Sequence, residues 1–460
     1  MHPIFVAPGE ASDAVPIWFV TTAAWDEGGE PLDAPTRVFA RAAGYEPRPG
    51  SHLLVPGANN ELGGVLFGID NPKAANNLFL PGKLAELLPS GSYRFANAPH
   101  DARLAAIAFA LGSYRFTRYR KSDGKTLRLE IPEGVDASEI SRIVEAAFLA
   151  RDLINTPAND MGPAELEKAA REVARRFDAK ISVIVGDDLL ARNFPLIHAV
   201  GRAAAGAPRL IDMTWGDRKA PTVTLVGKGV CFDSGGLDIK SDNAMLIMKK
   251  DMGGAANVLA LAQMVMDAKL KIRLRVLIPA VENAISGSAM RPLDIYRSRK
   301  GITVEVGNTD AEGRLILADA LALADEEAPE LLIDMGTLTG AARVALGPEL
   351  PPFYTDDEAL AVKVAQHAAA ENDPLWRLPL WRPYETMLES KTADINNVST
   401  SSFAGSITCA LFMKRFVEAA KTWLHLDIYA WTPSAKPGRP EGGECQAARA
   451  MYALLKERYG

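Results

Sequence analysis

From about residue 160 onward, apolar runs of strand length alternate with apolar runs of helical spacing. This alternation constrains the fold more than any other feature of the chain. The strand-like runs are ISVIVG, LIDMTW, TVTLVG, RLRVLIPAV, ITVEVG, LLIDMG and WLHLDIYAW. Among them lie AANVLALAQMVMDAK, RLILADALALADEE and SITCALFMKRFVEAAK, whose apolar residues recur at the helical period. Such a pattern predicts a large α/β domain with a central mixed sheet flanked by helices. Residues 1–135 hold shorter runs (VPIWFVTT, LLVPG, GVLFGID, TLRLEIP) with helical stretches such as DARLAAIAFALGSYRF between them. They predict a smaller N-terminal α/β domain. The segment DASEISRIVEAAFLARDLINTP has Asp136 or Ser138 as a cap, Glu139 in its first turn and a stop near Pro157. It predicts a connecting helix over 136–157, leaving 158–460 for the larger domain.

Charge and cysteine usage narrow the function classes. The net charge is −6 and no basic block is present, which disfavours a nucleic-acid footprint. Cys231, Cys409 and Cys445 lie far apart, so neither a zinc-knuckle spacing nor a disulfide framework is formed, and a reducing compartment fits. MHPIFVAPGE lacks the charged start and apolar core of a secretory signal, and no run approaches the ~18 apolar residues of a membrane span. These features read as a soluble cytoplasmic protein.

Three charged motifs fall where strands give way to helices, the place where α/β sheets bind ligands. TLVGKGVCFDSGGLDIK carries Lys228, Asp233 and Lys240 among glycines suited to sharp turns. MKKDMGGAAN carries Asp251, and NTDAEGRL carries Asp310, Glu312 and Arg314. The glycine spacing matches neither a phosphate loop nor a dinucleotide fingerprint. Taken singly, each acid has a plain alternative: Asp251 or Asp310 as a helix cap, Glu312 as an acid favoured by the helix dipole. Taken together, four carboxylates converging on one sheet edge would repel and raise each other's pKa unless compensated. Divalent metals supply that compensation. Oxygen ligands suit Mg²⁺ or Mn²⁺, Zn²⁺ also accepts carboxylates, and four acids are enough for two ions.

VGKGVCFDSGG, MKKDMGGAAN and NTDAEGRL resemble the three motifs of the leucyl aminopeptidase (cytosol aminopeptidase) family, and the signature octapeptide NTDAEGRL is complete. The resemblance runs over about 155–430. It implies that Lys228, Asp233, Asp251, Asp310 and Glu312 bind two divalent ions (Mn²⁺ or Zn²⁺, with Mg²⁺ as a further option), Asp233 and Glu312 bridging them. Lys240 and Arg314 match the family's two catalytic residues, with a bicarbonate ion held at Arg314 as the base. By the same resemblance Met248, Thr337 and Gly340 line the side-chain pocket, and Asn308 and Leu338 contact the peptide. The implied activity is release of N-terminal amino acids, leucine and similar, from peptides with a free N-terminus by two-metal hydrolysis in a homohexamer.

Other residues carry weaker expectations. Cys231 shares a strand face with Asp233 by alternation, yet reads better as a small buried residue than as a soft ligand. His425 reads as a satisfied core histidine. His52 and His100 fall in no cluster. Lys249 and Lys250 read as a solvated or substrate-rim pair. After HLDI the chain continues YAWTPSAKPGRPEGGE, where the family more typically has small residues and a Gly-rich turn. The far wall of the pocket therefore differs from the family pattern. Two other classes remain in view: a two-metal phosphoesterase, disfavoured by the lysine and the lack of histidine among the acids, and a DNA-binding role, disfavoured by charge.

Overall fold

The computed structural model describes residues 1–28, 32–58, 61–71, 77–121 and 124–460. The chain divides into two compact units, Met1–Phe148 with Ser434–Glu441, and Leu149–Pro433 with Gly442–Gly460. It passes from the first to the second within one helix, Ala137–Asn155. Asp136 caps that helix: its Oδ1 accepts from Ser138 N at 2.8 Å and Glu139 N at 3.2 Å.

The smaller unit is built on one sheet of β1 (Phe5–Val6), β2 (Val15–Val20), β3 (His52–Pro56), β4 (Leu62–Gly68), β5 (Gly91–Phe95) and β6 (Leu127–Glu130). Their order is β1-β6-β5-β2-β4-β3. All pairs are parallel except β3 with β4, an antiparallel edge. The helix Ala102–Gly112, capped by Asp101, buries every residue from Leu104 on.

The larger unit has a mixed sheet of β7 (Lys180–Val185), β8 (Arg209–Trp215), β9 (Thr222–Gly227), β10 (Gly229–Asp233) and β11 (Arg273–Asn283). Short strands β12 (Ile295–Arg297) and β13 (Thr303–Glu305) follow in the chain. The sheet continues with β14 (Leu331–Gly336), β15 (Pro352–Tyr354), β16 (Trp376–Arg377) and, after β17 (Ile395–Asn396), β18 (Trp423–Asp427). Its order is β16-β15-β18-β14-β9-β11-β8-β7, with β10 paired to the far half of β11. The four central strands β18, β14, β9 and β11 run parallel, β15 and β8 flank them antiparallel, and β7 pairs antiparallel with β8 at the edge. Burial follows position. β14 and β18 are buried throughout, whereas edge strand β7 alternates between exposed and half-buried residues. Helix Gly253–Asp267 packs on β9 and β14 and buries every residue but its last. Helix Glu312–Asp325 packs on β9 and β11, with Leu315, Leu317 and Leu321 in the core.

Two expectations are corrected. ITVEVG does not join the main sheet. Its middle residues form β13, which pairs with β12 and β17 in a separate three-stranded sheet. Val304 and Val306 still reach the main core, so the apolar alternation reported burial and not pairing partner. The helix expected from SITCALFMKRFVEAAK ends at Lys414 instead of running to 421. The carboxylate of Asp325 accepts the backbone N–H groups of Glu418, Ala419 and Ala420 at 2.8–2.9 Å, which holds that segment in a turn ahead of β18. Replacing Asp325 with Ala leaves three donors without their acceptor. A loss of about 1–3 kcal/mol is expected in urea unfolding, and an unchanged midpoint would show that the turn holds without it.

Candidate metal and catalytic site

The charged residues collect at one edge of the larger sheet because the central strands are parallel. Lys228 follows β9, Asp233 ends β10, Asn283 ends β11, Thr337 follows β14 and Asp427 ends β18. Two helix starts meet this edge. Asp251 lies in a short helix, Met248–Met252, directly before the helix from Gly253, and Glu312 is the first residue of the helix to Asp325.

Asp233, Asp310 and Glu312 each offer a carboxylate oxygen within 4.8 Å of the others. Lys228 Nζ lies 2.7 Å from Asp251 Oδ2 and 2.9 Å from Glu312 Oε1, and it donates to Thr337 O at 2.8 Å. Lys240 Nζ lies 2.9 Å from Asp233 Oδ2 and 2.5 Å from Asp310 Oδ1. Thus six sequence candidates, Lys228, Asp233, Lys240, Asp251, Asp310 and Glu312, form one connected cluster. Arg314 lies one turn into the same helix as Glu312. It is buried, donating from one guanidinium nitrogen to Asn397 O at 2.7 Å, while its Nε has no hydrogen-bond partner among the described residues.

The helix-cap alternatives do not hold. Ala311 occupies the N-cap position before Glu312 and no side chain caps there, and Met252 occupies the corresponding place before Gly253. Asp251 instead accepts the Thr337 hydroxyl at 2.7 Å.

Burial and mutual repulsion set the electrostatics. Burial first, then the charge of Asp233, raises Glu312 well above the usual carboxylate range, and the same two causes push Asp310 up to about 6. Burial alone would lower the Lys228 pKa. The carboxylates of Asp251, Glu312 and Asp233 outweigh it and raise the pKa well above the usual range. Lys240 is raised in the same way, chiefly by Asp233 and Asp310 against burial. Four carboxylates thus face two ammonium groups. Asp251 Oδ2, Asp310 Oδ1 and Glu312 Oε1 are sealed from solvent and make no hydrogen bond, because they meet the lysines at ion-pair distance but off the hydrogen-bond direction. Buried oxygens rarely stay so. A set of hard oxygen donors with excess negative charge and unfilled acceptor positions fits divalent cations.

Several residues that sequence reasoning did not single out hold this cluster in place. Asn397 accepts from Gly307 N and Asn308 N, and donates to Asn308 O and Ala311 O, so one buried amide staples the whole NTDAEGRL loop. Thr309 Oγ1 donates to Gly235 O at 2.6 Å, and Thr309 N donates to Asp238 at 2.8 Å, tying this loop to the FDSGG loop. Asn283 donates to Asp233 Oδ1 at 2.9 Å. Asp427 accepts from Leu338 N, Thr339 N and the Thr339 hydroxyl, which fixes the loop after β14. Only the HLDI wording of β18 marked Asp427 in advance, and nothing in the wording around Asn397 marked that residue.

The pocket candidates sit beside the cluster. Met248 opens the short helix of Asp251, Thr337 bonds Asp251, Leu338 is held by Asp427, and Gly340 opens the helix Gly340–Leu346. Asn308 accepts from Asp310 N through its side chain.

Among the other candidates, His425 is fully buried, bonded through Nδ1 to Asp334 at 2.6 Å and stacked between Tyr354 and Trp423, so it is a core residue as expected, but its Nε2 has no hydrogen-bond partner among the described residues and the histidine is only half satisfied. Cys231 is buried and bonded to Gly229 O at 3.7 Å. Pairing of β10 shifts between Val230 and Asp233, so simple alternation does not relate Cys231 to Asp233. The lysine pair divides: Lys249 is half-buried, and Lys250 is buried. Lys249 donates to Asn155 O, and Lys250 is 2% exposed, its pKa lowered to about 7, chiefly by burial.

Two outcomes follow from this geometry. A Cβ on Gly313 would lie 2.5 Å from Lys228 Cε and 2.6 Å from its Nζ. Gly313→Ala is therefore expected to push the Lys228 head aside and weaken Mn²⁺ binding by calorimetry on the order of tenfold or more, with circular dichroism unchanged. Full affinity in the variant would count against Lys228 as part of the ion site. Because Asp310 takes up its proton as pH falls through about 6, and protons compete with metal for carboxylates, Mn²⁺ affinity should drop on passing from pH 7.5 to 5.5. A flat titration would remove Asp310 from the ligand set.

Comparison with known proteins agrees with this geometry. Residues 148–452 match the family model described as the cytosol aminopeptidase family, catalytic domain, and residues 15–132 match that of the M17 aminopeptidase N-terminal domain. A probable cytosol aminopeptidase of Roseiflexus castenholzii is 40% identical over 365 residues, covering 75% of this chain and 74% of the relative. The crystal structure of a cytosol aminopeptidase from Coxiella burnetii superposes with a TM-score of 0.93 at 44% identity, over 99% of this chain and all of that one. The bottromycin maturation enzyme BotP, solved in complex with Mn, gives 0.88 at 33% identity over 97% of this chain and all of that one. With both domains matched in order and the acid cluster assembled at the sheet edge, the chain belongs to the cytosol aminopeptidase family of metallo-exopeptidases.

Proposed function

We propose that this protein releases N-terminal amino acids, leucine and similar, from peptides by two-metal hydrolysis. The observation that carries the reading is the buried cluster of Asp233, Asp251, Asp310 and Glu312 threaded by Lys228 and Lys240, with three carboxylate oxygens lacking hydrogen bonds. Lys228, Asp233, Asp251, Asp310 and Glu312 would hold two divalent ions, Mn²⁺ being favoured by its presence in BotP, with Zn²⁺ or Mg²⁺ as alternatives. When bound, the ions supply the positive charge that polarises a peptide carbonyl and makes water a nucleophile near neutral pH.

The protein's own residues do the rest. A free N-terminus, as the neutral amine, is what one of the ions held by the acid cluster would bind, and a blocked N-terminus offers no such lone pair, so the site selects an exopeptidase substrate. Lys240, partly open to solvent at 12% side-chain exposure, donates to the oxyanion as the carbonyl is attacked. The unpartnered Nε of Arg314 is the donor that would hold a bicarbonate ion, the base that takes the proton from water. Met248, Thr337 and Gly340 receive the first side chain, while Asn308 and Leu338 bind the peptide backbone. The family reading also carries a homohexamer, which sedimentation would check, and a cytoplasmic location.

The test is metal removal. After chelation, restoring Mn²⁺, Zn²⁺ or Mg²⁺ should restore cleavage of a leucyl amide but not of its N-acetylated form or of a phosphate ester. Equal cleavage of the blocked substrate would exclude an exopeptidase. Glu312→Ala should lose metal and activity together. Arg314→Ala should keep the metal and lose roughly a hundredfold or more in rate.

A further inference from the structure

The segment after β18 places an aromatic ring against a buried lysine beside the pocket candidates. Lys250 lies between Met248 and Asp251 in the short helix Met248–Met252. Its Nζ sits 4.8 Å from the centre of the Tyr429 ring. Among the described residues it makes no hydrogen bond or ion pair. The anions around it, Asp251 and Asp427, are already committed, to Lys228 and Thr337 in one case and to Thr339, Ser406 and Arg343 in the other.

Tyr429 bridges the two segments that carry the pocket candidates. On one side it meets Lys250, two residues from Met248. On the other the Arg343 guanidinium lies 5.3 Å from the same ring, three residues into the helix that begins at Gly340. The backbone that carries this ring is held firmly. Gln446 Oε1 accepts from both Tyr429 N and Ala430 N, at 2.9 and 2.8 Å. Ala430 adopts a left-handed φ of 57° and packs so tightly on Gly253 that a Cβ there would fall 2.3 Å from its own. The backbone that carries the ring is thus fixed beside Lys250.

A lysine head buried without a paired anion is a costly arrangement, and a π face offsets only part of that cost. What is missing is a carboxylate. We propose that Lys250, backed by Tyr429, forms a cationic wall of the subsite for the substrate's first side chain, and that this protein accepts glutamyl and aspartyl N-termini there. The inference rests on the aminopeptidase reading. It adds a side-chain class that a pocket lined only by Met248, Thr337 and Gly340 would exclude. Lys250 acts on which substrate is bound and not on the bond that breaks.

The experiment compares kcat/KM for glutamyl, glutaminyl and leucyl p-nitroanilides in the Mn²⁺-loaded protein and in Lys250→Met, with Lys250→Gln as a second variant in case the first does not fold. The wild type should cleave the glutamyl substrate. The glutamyl-to-leucyl ratio should fall roughly tenfold or more in either variant, mainly through KM. A wild type that cleaves the leucyl substrate but not the glutamyl one overturns the inference and leaves the aminopeptidase reading intact. So does a ratio unmoved by both variants. Failure to cleave any of the three with metal present overturns the aminopeptidase reading and this inference with it.

Discussion

The ion-pair lattice between four carboxylates and two lysines is the constraint on which the rest of the larger unit depends. Asp233, Asp251, Asp310 and Glu312 are drawn from three separate segments of the chain, and nothing local would keep them together against their repulsion. Lys228 meets Asp251 and Glu312, Lys240 meets Asp233 and Asp310, and each acid thus has one cation within reach. Such pairs are expensive to bury and strongly destabilising to break, so they define one arrangement and punish others. The oxygens left without hydrogen bonds are the part of that arrangement which the chain does not complete by itself.

Around this lattice the backbone is held by neutral polar groups. Asn397, Thr309, Asn283 and Thr337 each bond to a loop that carries an acid, and each is buried. The parallel central strands make this economical. Their carboxyl ends lie on one edge, so residues 228, 233, 283, 337 and 427 become neighbours although the chain separates them by up to about two hundred positions. Asp427 continues the pattern, since the carboxylate that ends β18 holds the loop that follows β14.

Much of this was legible in the amino-acid order. The strand runs at 222–227, 273–281 and 331–336, the capped helix from Asp136 and the four acids follow from periodicity, turn chemistry and charge at element junctions, while the roles of Lys228 and Lys240 came from the resemblance of the three motifs. The misses share a cause. ITVEVG was placed with the main sheet because alternation reports burial and says nothing of pairing partners. The helix after Gly405 was drawn too long because the competing acceptor, Asp325, lies about ninety residues earlier in the chain. Lys249 and Lys250 were read as a solvated or substrate-rim pair, and the burial of Lys250 was not foreseen because the ring that covers it arrives from residue 429.

By itself the sequence determined the α/β class, the order of the two domains and the set of charged side chains at the sheet edge. Those depend on local period and on residue type, which one chain carries openly. Only the tertiary structure decided which acid faces which lysine, that Asn397 and Asp427 staple the loops, that Ser434–Glu441 belongs with the smaller unit, and that Lys250 is buried against Tyr429. Each of these is a contact between residues far apart in the chain. Its energy comes from desolvation and geometry that exist only once the parallel strands have brought their ends together.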